Sequence, residues 1–135
     1  KGQEQKIKNE IQLNFLIADD NKLNLMVIQK ILFSEFPKSN FHTATDGYEV
    51  LSQLQKVPNI QIILLDLQMP NLDGYETATK IRETNDSVVI FAMSASMNES
   101  IKRDCISRGV NEVMIKPFEM DTIKEMILNY FPEGK

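Results

Sequence analysis

Ile62-Ile63-Leu64-Leu65-Asp66 is a row of four aliphatic residues closed by an acid, and its reading decides the fold. A short continuous apolar run without alternation reads as a strand covered on both faces, here expected over 61–65. Covering both faces takes helices above and below the sheet, and the chain on either side supplies them. Upstream, 13–18 reads as a strand and 21–36 as a helix, with Leu25, Ile28 and Leu32 on one face beside Val27 and Ile31, stopped by Pro37. A strand over 41–44 and a helix over 47–57 follow. Downstream, helices are expected over 75–84, 98–108 and 120–130, alternating with strands over 87–93 and 113–115. Gly109 stands where a helix end wants a left-handed residue. Five strand–helix pairs predict an α/β fold, a doubly wound five-stranded parallel sheet, because parallel strands need crossover connections.

The chain's 135 residues suit one domain with its own core. Residues 1–11 are polar and charged, with only Ile7 and Ile11 apolar, and are expected to form a linker or tail outside the core, leaving 12–132 as the domain. The absence of an initiator Met and the charged leader favour excision from a longer protein. Hydrophobic residues at 42% and charged residues at 25% match an ordinary globular domain. A net charge of -4 argues against direct nucleic-acid binding, which draws on clustered Lys and Arg. No apolar stretch approaches the roughly 20 residues of a membrane span, so no membrane contact by this piece is expected. The lone Cys105 excludes an internal disulfide and fits a reduced, cytoplasmic setting; it reads as simple packing in its helix. His42 lies away from the expected pocket, and the seven Met are expected at scattered core positions.

The chemistry sits where the strands stop. Asp19-Asp20 follows the first, Asp66 ends the third, Ser94 follows the fourth, and Lys116-Pro117 follows Val113-Met114-Ile115 in the fifth. In an open parallel sheet the carboxyl ends share one edge, and ligands bind in the crevice there. Three acids at one edge repel unless they are protonated or bridged by a cation. A few hard oxygen ligands favour Mg²⁺, which keeps several waters and commonly holds phosphate as well. Lys116 is a compact charge able to compensate Asp66 and to meet phosphoryl oxygens. Taken singly, each has a plainer reading: Asp19-Asp20 as a turn and helix N-cap, Lys116 as a surface lysine, Ser94 as a loop serine beside the possible caps Ser96 and Asn98. Their joint placement carries the argument.

With these residues placed, the chain resembles the receiver domain of two-component response regulators over about residues 12–130. The resemblance rests on Asp19 and Asp20, on Leu65-Asp66-Leu67-Gln68-Met69-Pro70 through Asp73-Gly74, on Ser94, and on Lys116-Pro117-Phe118. Asp19-Asp20-Asn21 with Asn24 looks particularly like receivers of hybrid sensor histidine kinases. The resemblance implies a flavodoxin-like receiver fold with Asp66 as phospho-acceptor, taking a phosphoryl group from a phosphohistidine on a histidine kinase or histidine phosphotransfer domain. It implies Mg²⁺ held by Asp20, Asp66 and the backbone carbonyl of Gln68, with Asp19 acting through water. It further implies that Ser94 and Lys116 bond the phosphoryl group, that the peptide before Pro117 is cis, and that a homodimer can form.

One position departs from the family pattern. Val113 stands three residues before the lysine, where many members carry a Tyr or Phe that swings inward, so the usual readout does not transfer. Competing readings are a pseudo-receiver that docks without phosphorylation and an aspartyl-phosphate phosphatase. The phosphatase would want a second acid where Gln68 stands. A flavodoxin-like cofactor binder would want a phosphate-cradling loop where Asp19-Asp20 would repel phosphate.

Overall fold

The computed structural model describes residues 11–117 and 119–132. Five strands and five helices alternate: β1 (Asn14–Ala18), α1 (Lys22–Glu35), β2 (Asn40–Ala44), α2 (Gly47–Lys56), β3 (Ile62–Asp66), α3 (Gly74–Thr84), β4 (Val89–Ser94), α4 (Glu99–Ser107), β5 (Glu112–Ile115) and α5 (Met120–Tyr130). All strand pairs are parallel, in the order β2-β1-β3-β4-β5. The order reverses at β1, so a crevice opens between the carboxyl ends of β1 and β3.

Every residue of β3 is buried, which is the physical content of its unbroken apolar run. Its side chains alternate between two layers. Ile62 and Leu64 pack with Phe15, Phe91, Leu25, Leu32, Ile123 and Ile127 against α1 and α5. Ile63 and Leu65 pack with Val50, Ala78, Ile81 and Cys105 against α2, α3 and α4. Each such aliphatic side chain contributes about 1.5–3 kcal/mol by leaving water.

Element ends follow local chemistry. Asn21 caps α1, its side chain accepting from the Leu23 and Asn24 amides, and Asn98 caps α4, accepting from Ile101 at 2.8 Å. The Asp19-Asp20 pair is therefore spared capping. Asn85 accepts from the Ser87 and Val88 amides, and this turn delays β4 to Val89, two residues later than its apolar pattern suggests. Gly109 has the expected positive φ of 94°.

Three expectations change. Ile11 was expected with the leader but is buried in the α1–α5 layer, because Ser39 Oγ donates to its carbonyl and fastens the start of the chain. The rest of the expected leader, 1–10, lies outside the described residues. Met26 and Met97 are exposed rather than core, being 67% and 40% accessible. Val27 is half exposed, because only Leu25, Ile28 and Leu32 of α1 turn inward. Cys105 is buried as expected, and His42 sits partly buried on the edge strand β2.

The last helix is tied to the last strand by Tyr130, whose hydroxyl donates to Glu112 Oε2 at 2.7 Å. Burial, that hydrogen bond and the Glu112 charge push the phenol up to about 12. A folded-state pKa above the unfolded value of about 10 gives stability that is complete below pH ~10. It is lost as pH rises through the folded value. Alkaline melts should therefore show wild type losing stability in this interval more steeply than Tyr130→Phe. Ultraviolet titration should show a late tyrosinate step that this variant lacks.

Candidate functional site

The site is assembled at the carboxyl edge from residues distant in sequence. Asp19 follows β1 directly, fully buried, its amide bonded to the Ala44 carbonyl at 3.1 Å. Asp66 is the last residue of β3 and pairs in register with Met93 of β4. Lys116 follows β5 and is placed by its amide, which donates to the Ser94 carbonyl at 2.7 Å. These backbone bonds extend the sheet ladder beyond the strands and fix the side chains. The peptide between Lys116 and Pro117 is cis, as the resemblance implies.

Carboxylate oxygens of Asp19, Asp20 and Asp66 all lie within 4.8 Å of one another. Asp20 is exposed and the other two are buried, so the cluster opens to water on one side. Lys116 Nζ donates to Asp66 Oδ2 at 2.9 Å and to Asp19 Oδ2 at 3.3 Å. Asp19 also accepts from the Asn21 amide at 2.9 Å and from Asn24 Nδ2 at 3.4 Å. Asp66 Oδ1 accepts from the Gln68 amide at 3.2 Å. Lys116 therefore compensates two of the three acids.

Electrostatics match this arrangement. Burial raises the Asp66 carboxyl above its ordinary range, with a further push from Asp19; the hydrogen bonds of Lys116 and Gln68 and the Lys116 charge offset this only in part. Burial works against the Lys116 ammonium, but the hydrogen bond and charge of Asp66, with Asp19, outweigh it and leave the lysine raised. A cluster with its charge short of balance is suited to a small divalent cation, and three carboxylates are the hard oxygen set that Mg²⁺ prefers.

The loop after β3 is held by a close backbone approach. The Gly74 amide donates to the Leu67 carbonyl at 3.0 Å, and a Cβ at Gly74 would collide with the Asp66 carbonyl and lie 2.7 Å from Leu67 Cα. Gly74→Ala should therefore cost about 1–3 kcal/mol through overpacking and displace the Asp66 backbone. Denaturant melts would read the loss, and any phosphorylation rate should fall with it.

Ser94 is buried at the end of β4, next to the site, yet its hydroxyl is engaged elsewhere. It donates to the Ser96 carbonyl at 2.6 Å and accepts from the Ser96 amide at 3.3 Å. The structure thus brings Asp19, Asp20, Asp66 and Lys116 together, while Ser94 faces its own loop. Gln68 is exposed and meets the site through its amide. Val113 is partly buried on β5.

A feature missed in sequence adjoins the acids. A groove of about 410 Å³ is lined by Val27, Ile28, Ile31 and Pro117 and reaches Asp19 and Lys116. Beside it α1 exposes Leu23, Met26, Val27 and Phe33, between 50% and 67% accessible. The signal was present: besides the inward Leu25, Ile28 and Leu32 this helix carries Leu23, Met26, Val27 and Phe33, whereas the outer side of a surface helix is normally polar.

The sequence pattern of the response regulator receiver domain matches residues 15–128. Sensor protein EvgS of Escherichia coli K12 is 31% identical over 121 residues, covering 90% of this chain and 10% of that protein. The chain thus spans about a tenth of this relative's length. A chain of the CheX–CheY–BeF3–Mg+2 complex from Borrelia burgdorferi superposes with a TM-score of 0.80 at 30% identity, covering 88% of this chain and 89% of that one. A chain from the co-crystal of the Saccharomyces cerevisiae histidine phosphotransfer protein Ypd1 with the Ssk1 receiver domain gives a TM-score of 0.80 at 26% identity, covering 89% of each chain.

Proposed function

This chain belongs to the response regulator receiver domain family, the phospho-acceptor signalling domains of two-component phosphorelays, and from that membership we propose the roles of its own residues. Asp66 is the phospho-acceptor. The single observation that carries this is its position, buried at the end of β3 with its carboxylate bonded by Lys116 and clustered with Asp19 and Asp20. A carboxylate oxygen of Asp66 attacks the phosphorus of a phosphohistidine on a histidine kinase or phosphotransfer domain. The P–N bond breaks and the leaving imidazole keeps that electron pair. Such transfer depends on positioning and charge neutralisation more than on covalent help.

Asp20, Asp66 and the Gln68 carbonyl would hold Mg²⁺, with Asp19 acting through water. When bound, the cation supplies neutralisation of the carboxylates and the incoming phosphoryl oxygens. Lys116 moves its bonds from the acids to a phosphoryl oxygen. Ser94 turns its hydroxyl from Ser96 to the phosphoryl group. Because Asp66 titrates above the ordinary carboxylate range, protons should compete with Mg²⁺ from a correspondingly higher pH as the solution is acidified. A fluorescence or calorimetric Mg²⁺ titration across acidic pH would detect it.

The exposed apolar face of α1 and the adjoining groove support docking of an apolar helical surface that presents the phosphohistidine. A second copy of the chain is the competing occupant, and a concentration-dependent mass in ultracentrifugation would identify it. We further propose that the domain, over about 12–132, is the receiver of a hybrid sensor kinase and works in the cytoplasm. The free buried Cys105 suits that reducing compartment. Among the described residues no helix is long and apolar enough to cross a membrane.

Acetyl phosphate with Mg²⁺ tests the central reading. The intact mass should rise by one phosphoryl group, and a chelator should prevent the gain. Mg²⁺ binding without any adduct would instead identify a pseudo-receiver that signals by docking.

A further inference from the structure

The loop between β3 and α3 turns sharply at a strained residue. Asn71 has a φ of 69°, and the Leu72 amide donates across it to the Pro70 carbonyl at 2.7 Å. A three-residue turn of that hand is rare, and such backbone persists only where its surroundings hold it. Here it is held from the start of α2. Asn71 Nδ2 donates to Asp46 Oδ2 at 2.7 Å, and the Gly47 amide donates to the Leu72 carbonyl at 3.1 Å. Asp46 is itself fixed, because its other oxygen accepts from the Glu49 amide at 2.9 Å and so caps α2. The Glu49 amide and the Asn71 side chain hold the Asp46 carboxyl below its ordinary range, so both bonds are charge-assisted at neutral pH. Gly47 permits the close approach: a Cβ there would collide with Thr77 Oγ1 and lie 2.6 Å from the Leu72 carbonyl oxygen.

The base of the loop is secured separately. The Leu67 amide donates to the Met93 carbonyl at 3.1 Å, and the Gly74 amide to the Leu67 carbonyl at 3.0 Å. Gln68 lies between this base and the strained turn, three residues before Asn71, with its side chain exposed. The path of its backbone is therefore set at one end by the sheet and at the other by α2. We propose that Asp46 and Asn71 are positioning residues that brace this loop against α2, so that the Gln68 carbonyl stands ready for Mg²⁺. This rests on the reading of Asp20, Asp66 and Gln68 as the ligands of the cation. Mg²⁺ demands near-ideal octahedral geometry, so a carbonyl free to wander costs affinity. Neither Asp46 nor Asn71 touches the metal in this arrangement; both act through the backbone of the loop.

Calorimetric titration of the whole chain with Mg²⁺, at a temperature where melts show the metal-free fold intact, tests the brace. Asn71→Gly adopts the positive φ freely but has no side chain to reach Asp46. Its Mg²⁺ affinity should fall about tenfold, the lower end of the scale for losing a partner one shell out from a metal. Hydrogen exchange at the Gly47 and Leu72 amides should quicken in the same variant without metal. Asn71→Asp sets two carboxylates face to face. Its added negative charge would by field alone tighten Mg²⁺, whereas a broken brace weakens it, and weaker binding is the expected result. Asp46→Asn combined with Asn71→Asp exchanges donor and acceptor at the same net charge and keeps a good cap on α2, so most of the lost affinity should return. Wild-type affinity in Asn71→Gly, or tighter binding in Asn71→Asp, overturns the brace and leaves the ligand reading standing. A double variant that regains stability but not affinity overturns it too. Quickened exchange in Asn71→Gly, with no Mg²⁺ bound even by wild type, would uphold the hold on the loop and sink the ligand reading instead.

Discussion

Asp66→Asn is expected to take up no phosphoryl group from acetyl phosphate and Mg²⁺, while wild type gains the full increment in intact mass. The amide has no anionic oxygen to attack phosphorus, so the loss should be complete rather than graded. The variant should stay folded. Lys116 keeps Asp19 as a partner at 3.3 Å, and the neutral side chain relieves the burial that raises the Asp66 carboxyl. Circular dichroism melts check that point. The wild-type adduct should be released by hydroxylamine, as an acyl phosphate is. An adduct of equal yield on Asp66→Asn would remove Asp66 from the acceptor role.

Lys116→Ala should move three quantities in different directions. Without metal, Asp19 and Asp66 lose their shared counter-charge, and stability should fall by about 2 kcal/mol, a value set below that of fully buried pairs because the lysine is partly exposed. Mg²⁺ should bind more tightly, because it no longer competes with an ammonium for the same carboxylates, and should restore much of the lost stability. The phosphorylation rate should nevertheless fall by about 10²–10³, the scale on which removing one preorganised charge-stabilising group slows transfer. Melts with and without Mg²⁺, a metal titration and a phosphorylation time course read the three effects. Weaker Mg²⁺ binding in this variant would mean that Lys116 organises the site rather than balancing its charge.

Ile62-Ile63-Leu64-Leu65-Asp66 by itself determined a central strand with an acid at its end, because burial on both faces leaves a record in composition that no tertiary detail can blur. The alternation of strands and helices determined a parallel sheet by the same logic, and a parallel sheet brings strand ends to one edge. Asp19, Asp20, Asp66 and Lys116 were therefore legible before their distances were known. What the tertiary structure decided is of a different physical kind. That Lys116 bridges Asp66 and Asp19 rather than one acid, and that the Ser94 hydroxyl serves its own loop, depends on rotamers and on bonds that span up to 97 residues of sequence. The inward face of α1, Leu25, Ile28 and Leu32, was legible, but that nothing in the fold covers the further apolar residues Leu23, Met26 and Phe33 depends on how far the sheet and its neighbours reach around the helix. Arg82 bonds the Gly109 carbonyl and Arg108 bonds Thr79, partners 27 and 29 residues away that have no pattern until α3 and α4 lie side by side. Periodicity and strand-end chemistry are local and additive, so a sequence displays them; contacts between packed elements exist only once the core has set their distance and rotation.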